Sequence, residues 1–185
     1  MNNKEIYIKL EKAVGDNNVQ EVSNILDQHS DLDLNDENLY TLHPPLCRAA
    51  KKGFYEICKT LIQYGADVNC IKDRLFSPLW GASSGNHLEI VKLLIENGAD
   101  INAYESSTTA ALNEAAAKGH FEIVRYLIEK GADINRLTTT LLFSPLDWSI
   151  SSGHNEISLF LKEKGASSNI NHDYVWSEVG GGISQ

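Results

Sequence analysis

The sequence predicts an all-α solenoid of about five helix–turn–helix units. Three recurring blocks carry this. Four segments end alike, at Gly65-Ala66-Asp67-Val68-Asn69, Gly98-Ala99-Asp100-Ile101-Asn102, Gly131-Ala132-Asp133-Ile134-Asn135 and Gly165-Ala166-Ser167-Ser168-Asn169, spaced 33, 33 and 34 residues apart. Upstream of each lies a second block: Gly53-Phe54-Tyr55-Glu56-Ile57-Cys58, Asn86-His87-Leu88-Glu89-Ile90-Val91, Gly119-His120-Phe121-Glu122-Ile123-Val124 and Gly153-His154-Asn155-Glu156-Ile157-Ser158. A third reads Pro45-Leu46-Cys47-Arg48-Ala49-Ala50, Ser77-Pro78-Leu79-Trp80-Gly81-Ala82, Leu112-Asn113-Glu114-Ala115-Ala116 and Ser144-Pro145-Leu146-Asp147-Trp148. A fixed period of this size marks stacked units that share one core.

Each block has a physical job. Ser77-Pro78 and Ser144-Pro145 predict helix starts, because the hydroxyl accepts from free N–H groups and proline fits the first turn. That first helix is short and stops at Gly53, Asn86, Gly119 or Gly153, residue types that tolerate positive φ. The second helix carries apolar residues at helical spacing, as at Leu88, Val91, Leu94 and Ile95. Its opposite edge is charged at Glu89, Lys92 and Glu96 and is expected to face water. Gly65, Gly98, Gly131 and Gly165 end the second helix, and Asn69, Asn102 and Asn135 read as residues that fix the following loop.

A weaker first unit fits the start of the chain, where the segment from Val19 to Leu26 aligns with the second helix. Residues 27–37, with Asp27, Asp31, Asp33, Asp36 and Glu37, read as a solvated acidic loop. The last unit reads as an end. Asn155 stands where Phe121 does one unit earlier, and Lys162 where Ile128 does; a successor unit would bury that lysine at a cost. The expected units are a degenerate N-terminal cap at 1–35, repeats at 36–70, 71–103 and 104–136, a C-terminal cap at 137–169, and a tail at 170–185. In the tail Gly180-Gly181-Gly182 favours mobility, while Tyr174 and Trp176 favour docking.

The three blocks resemble the ankyrin repeat, whose pattern runs T-P-L-H-x-A-A, G-H-x-E-I-V and G-A-D-V/I-N at a period of about 33 residues. The resemblance covers 36–169. It implies helix pairs stacked into a curved array, with the first helices on the concave face and the loops along one edge. The chain departs from the pattern at Ala111, where proline is expected, and at Trp80 and Asp147, which replace histidine.

Composition bounds the function. With 42% hydrophobic residues among 185, a packed core is expected. No apolar run reaches the roughly 18 residues of a membrane helix, and the start lacks an apolar signal core, so the expected location is cytoplasmic. Cys47, Cys58 and Cys70 are odd in number and form no C-x-x-C pair; they read as small apolar fillers. The net charge of −9 argues against nucleic acid and suits either plain solubility or a partner with a basic surface.

Two motifs tempt a chemical reading. Gly81-Ala82-Ser83-Ser84-Gly85 matches the G-x-S-x-G elbow of serine hydrolases, but Ser83 falls inside a first helix, whereas the elbow needs a strand before it and a strained turn. His87, His120 and His154 share one register; helices about 8 to 10 Å apart make them a ladder, not a metal site. No catalytic residue, metal or cofactor is expected.

Binding is expected where the repeat leaves side chains free. On the first helices, residues three or four apart group Arg48 with Lys51 and Lys52, Gly81 with Ser84 and Gly85, Glu114 with Ala117 and Lys118, and Trp148 with Ser151 and Ser152. The loops ahead of them add Tyr40, Arg74, Phe76, Leu141 and Phe143. Aromatic and arginine side chains dominate interface energies, so Arg74, Phe76, Trp80, Phe143 and Trp148 lead the list. The expectation is a monomeric, non-enzymatic scaffold that binds another protein through its concave face and loops. Its sharper form is a stand-alone inhibitor or immunity-type protein that covers an enzyme's active site.

Overall fold

The computed structural model of the chain describes residues 2–36, 38–39, 44–70, 76–103, 110–139 and 141–170. Among these residues the secondary structure is helical throughout. The helices are α1 (Asn3–Gly15), α2 (Val19–Gln28), α3 (Pro45–Lys52), α4 (Tyr55–Gln63), α5 (Pro78–Ser84), α6 (Leu88–Glu96), α7 (Ala111–Lys118), α8 (Phe121–Glu129), α9 (Pro145–Ser151) and α10 (Asn155–Glu163). They pair in chain order, α1 with α2 through to α9 with α10. Among the described residues no helix is long and apolar enough to cross a membrane.

The local chemistry of the blocks sets the helix ends. Ser77 Oγ accepts from the Trp80 N–H at 3.1 Å, and Ser144 Oγ from the Asp147 N–H at 3.2 Å. α7 has neither device, since Ala110 offers no side-chain cap. The tight turns inside the pairs place Gly53, Gly119 and Gly153 at φ of 80°, 78° and 76°, and Asn86 at 60°. Such backbone is accessible to glycine at no steric cost and tolerated by asparagine.

Packing explains the curvature. First helices contribute small core residues, Ala49, Ala50, Ala82, Ala115 and Ala116, all fully buried. Second helices contribute large ones, among them Ile57, Leu61, Ile90, Leu94, Ile123 and Leu127. Alanine lets neighbouring helices approach closely, so α3, α5, α7 and α9 touch extensively, while α4, α6, α8 and α10 touch only sparsely. A stack packed more tightly on one side bends toward that side. The first-helix row is therefore the inner, concave one, as the resemblance implies.

Two ladders run along the stack. Each histidine reaches back one unit: Nε2 of His87, His120 and His154 lies 3.2, 3.3 and 3.0 Å from the carbonyls of Lys51, Ser84 and Ala117. A carbonyl only accepts, so Nε2 carries the proton. Burial, ahead of nearby Lys118, lowers the His120 pKa and keeps its ring neutral, while the hydrogen bond to Ser84 opposes that shift. The fit is close: a Cβ at Gly53 would sit 2.5 Å from His87 Cε1.

The asparagines form the second ladder. Asn102 donates from Nδ2 to Gly131 O at 3.3 Å and accepts on Oδ1 from the Asp133 N–H at 2.8 Å. Asn69 makes the same pair to Gly98 and Asp100, and Asn35 to Gly65 and Asp67. The acidic stretch read as a solvated loop thus contains the first rung. Asn102→Ala loses two exposed inter-unit bonds and should cost about 1 to 2 kcal/mol. A melting curve lowered by roughly 2 to 8 °C is the expected result.

At the far end, Asn155 and Lys162 face solvent on α10. Leu159 between them is also 68% exposed, so that surface is not uniformly polar. Inside the last pair Ser149 and Ser158 replace apolar core residues. They satisfy each other at 2.8 Å and also bond the Leu146 and His154 carbonyls.

Candidate functional site

On the first-helix row the repeat leaves a continuous strip open. Arg48, Lys51 and Lys52 are exposed on α3; Ser84 is half-buried on α5; Glu114 is half-buried and Lys118 exposed on α7; Trp148 is half-buried and Ser151 exposed on α9. Gly81, grouped with this strip by spacing, is instead buried: a Cβ there would sit 3.3 Å from both Lys51 Cβ and Phe76 Cδ2. Arg48 is partly committed to structure, with Nη1 donating to the Glu11 carbonyl of α1 at 3.4 Å.

Two aromatic pairs flank the middle of the strip. Phe76 and Trp80 lie 5.2 Å apart, and Phe143 and Trp148 5.1 Å apart, both tilted. Each pair joins the residue leading into a helix to an indole on that helix, so Phe76 and Phe143 pack their tryptophans while staying half-exposed. Lys51 Nζ sits 4.5 Å from the Phe76 ring centre and 5.8 Å from that of Trp80. Between the pairs, Glu114 accepts from Ser84 Oγ at 2.8 Å and faces Lys118 at 3.7 Å. The Trp148 indole N–H is buried and has no acceptor among the described residues.

The loop before α9 is built, not loose. Thr138 donates its N–H to Phe143 O at 2.9 Å and accepts the Phe143 N–H on Oγ1 at 3.1 Å. At its tip Leu141 and Leu142 are 54% and 53% exposed. Leu142 has φ of 54°, uncommon for a branched apolar side chain. Its carbonyl accepts from Asn169 Nδ2 at 2.8 Å, which helps hold it there. Leu142 went unmarked in the sequence; the one-residue lengthening of this unit was the available signal. Tyr40 and Arg74 lie outside the described residues, as does the tail with Tyr174 and Trp176.

One register, to which the histidine replacement Asp147 belongs, ties the starts of α3, α7 and α9 to the loops closing their own units. Cys47 Sγ donates to Cys70 O at 3.6 Å. Asn113 Nδ2 donates to Arg136 O at 2.9 Å and Phe143 O at 3.3 Å. Asp147, fully buried, accepts from the Ser144 N–H and Oγ at 2.8 Å each, Ser168 Oγ at 2.5 Å and the Asn169 N–H at 3.0 Å. Burial pushes this carboxyl up, but the hydrogen bonds from Ser168, Ser144 and Asn169 outweigh it, and its pKa is lowered.

Ser83 lies on a helix, not on the strand-to-helix turn that its motif requires. It is fully buried within α5, and its hydroxyl has no hydrogen-bond partner among the described residues.

A profile described as Ankyrin repeats (3 copies) matches residues 10–105 and 82–172. A Rickettsia bellii (strain RML369-C) chain described as an ankyrin repeat protein is 39% identical over 67 residues, covering 34% of this chain and 39% of that relative. The match thus spans well under half of the relative's length. Ankyrin repeats are in general protein–protein interaction modules and typically non-enzymatic. With the profile running across both helix rows and both ladders, this chain belongs to the ankyrin repeat family.

Proposed function

We propose that this chain is a non-enzymatic cytoplasmic scaffold that binds another protein along the first-helix row and the loops leading into it, with the units at 1–35 and 137–169 serving as caps. The observation that carries the reading is the strip itself: two half-exposed aromatic pairs, at Phe76–Trp80 and Phe143–Trp148, on either side of a polar centre at Ser84, Glu114 and Lys118. Aromatic anchors bordered by polar groups are the usual composition of an interface core and rim. A standard interface takes about 800 Å² from each partner, so several units must contribute.

The charge of the strip refines the partner. On α3, α5, α7 and α9 the charged residues are Arg48, Lys51, Lys52 and Lys118 against Glu114 and the buried Asp147. Acidic residues concentrate on the second helices, for example Glu89 and Glu96 on α6 and Glu122 and Glu129 on α8. The net charge of −9 suited a basic partner; the charge of the strip favours an acidic protein segment near α3 and α5. The sharper reading, an inhibitor or immunity-type protein that covers an enzyme's active site, uses the same strip and is favoured only if the captured partner is an enzyme.

Photo-crosslinking separates the two sides of the stack. A benzophenone side chain at Ser151 is expected to capture the partner, and one at Glu89, on α6, is not. Capture from Glu89 alone would place the partner on the outer helices and end this proposal.

A further inference from the structure

We propose that Cys47 and Cys70 form an oxidant-responsive thiol pair that closes to a disulfide and covalently locks the loop of the second helix pair. The two Sγ atoms are 3.5 Å apart, in direct contact. Cys47 is in the first turn of α3 and fully buried, while Cys70 is half-buried at the end of the loop following α4. Neither sulfur is in a disulfide.

The register gives the contact its meaning. At the equivalent position Asn113 and Asp147 tie their helix start to the closing loop by hydrogen bonds, to Arg136 and to Ser168 and Asn169. In the unit of Cys47 the same tie is made by a thiol resting on a second thiol and its carbonyl. A hydrogen bond has no covalent form; a thiol pair does. Bond formation needs the sulfurs to close from 3.5 Å to about 2.05 Å. Cys70 lies in a loop, not a helix, and can supply that movement of about 1.5 Å with little distortion.

A peroxide serves as the oxidant. The Cys70 sulfur attacks the O–O bond and becomes a sulfenic acid, and the other peroxide oxygen leaves as water. The Cys47 sulfur, losing its proton, then attacks the Cys70 sulfur. The S–O bond breaks and its oxygen leaves as a second water. Two thiols are oxidised by one electron each, and the peroxide is reduced to two waters. Partial exposure makes Cys70 the entry point. Cys58 is the internal control: burial pushes its thiol up to about 12, so almost no thiolate forms there.

The test treats the full chain with hydrogen peroxide, removes the oxidant, and analyses it by non-reducing peptide mass spectrometry and thiol titration in denaturant. The expected result is an intrachain Cys47–Cys70 peptide, a mass lower by two hydrogens, free Cys58, and a melting temperature several degrees higher that dithiothreitol reverses. Cys70→Ser should remove the cross-link and the shift, while Cys58→Ser should keep both. Three free thiols after treatment, over-oxidised Cys70 without a cross-link, or dimers joined through Cys70 would each overturn the proposal. None of these readouts involves the binding partner, so the pair and the proposed function fail separately.

Discussion

Trp148→Ala is expected to weaken partner binding by about thirtyfold or more, equivalent to about 2 kcal/mol. The indole is half-buried on α9, 5.1 Å from Phe143, and borders the exposed Ser151. Half-burial gives it a rigid seat in the free chain, so little side-chain entropy is lost on binding. The same packing means the substitution also removes contacts with Phe143, and a melting curve must accompany the titration. Lys92→Ala and Arg125→Ala are the controls. Their side chains pair with Glu89, Glu122 and Glu129 on α6 and α8, in exposed ion pairs of little net worth. Each should leave both the melting curve and binding close to the parent's. Parent-like affinity for Trp148→Ala, with loss of binding in the controls, would reverse the assignment of faces.

Asp147→Ala should produce the largest loss of stability, about 3 kcal/mol, because charged hydrogen bonds are worth more than neutral ones and the donors are left behind. The Ser144 and Asn169 N–H groups lose their acceptor, whereas the Ser144 and Ser168 hydroxyls also reach the Ser167 and Ile170 carbonyls, at 3.0 and 2.6 Å. At roughly 2 to 4 °C per kcal/mol for a chain of this size, the melting temperature should fall by about 6 to 12 °C. Glu96→Ala, at an exposed position on α6, should change it by little. The pH dependence has a definite sign. The folded carboxyl titrates below its ordinary value of 3.8, so it contributes stability above that value and loses it as pH falls through the folded pKa. The gap between parent and Asp147→Asn should therefore be full at neutral pH and shrink below about pH 4. A gap that widens on acidification would contradict the hydrogen-bonded carboxylate.

Much of this was legible because the repeat states it several times over. The turn residues Gly53, Asn86, Gly119 and Gly153, the serine caps before Pro78 and Pro145, and the second-helix faces follow from local chemistry that each unit repeats. What escaped depended on contacts between distant residues. Asn35 is the first rung of the asparagine ladder, yet no Gly-Ala precedes it, although Asp33-Leu34-Asn35 echoes Asp67-Val68-Asn69. Asp147 looked like a departure from a histidine pattern and Asn113 drew no reading of its own; their role emerges only when the loop some twenty residues later folds back onto them. The charge of the inner strip was hidden for a similar reason. Summed over the chain the charge is acidic, and only the assignment of residues to helix rows separates Arg48, Lys51, Lys52 and Lys118 from the glutamates of α6 and α8.

The central claim, that the partner occupies the first-helix row, is tested most directly by hydroxyl-radical footprinting of the chain alone and in complex with its crosslinked partner. Indoles and phenols report well, and the stack carries them on both sides: Trp80 and Trp148 on α5 and α9, and Tyr55 and Tyr64, 38% and 39% exposed, at the two ends of α4. The account predicts that binding protects Trp80 and Trp148 from oxidation and leaves Tyr55 and Tyr64 as they were. Protection of Tyr55 and Tyr64 with unchanged oxidation of both tryptophans would contradict it.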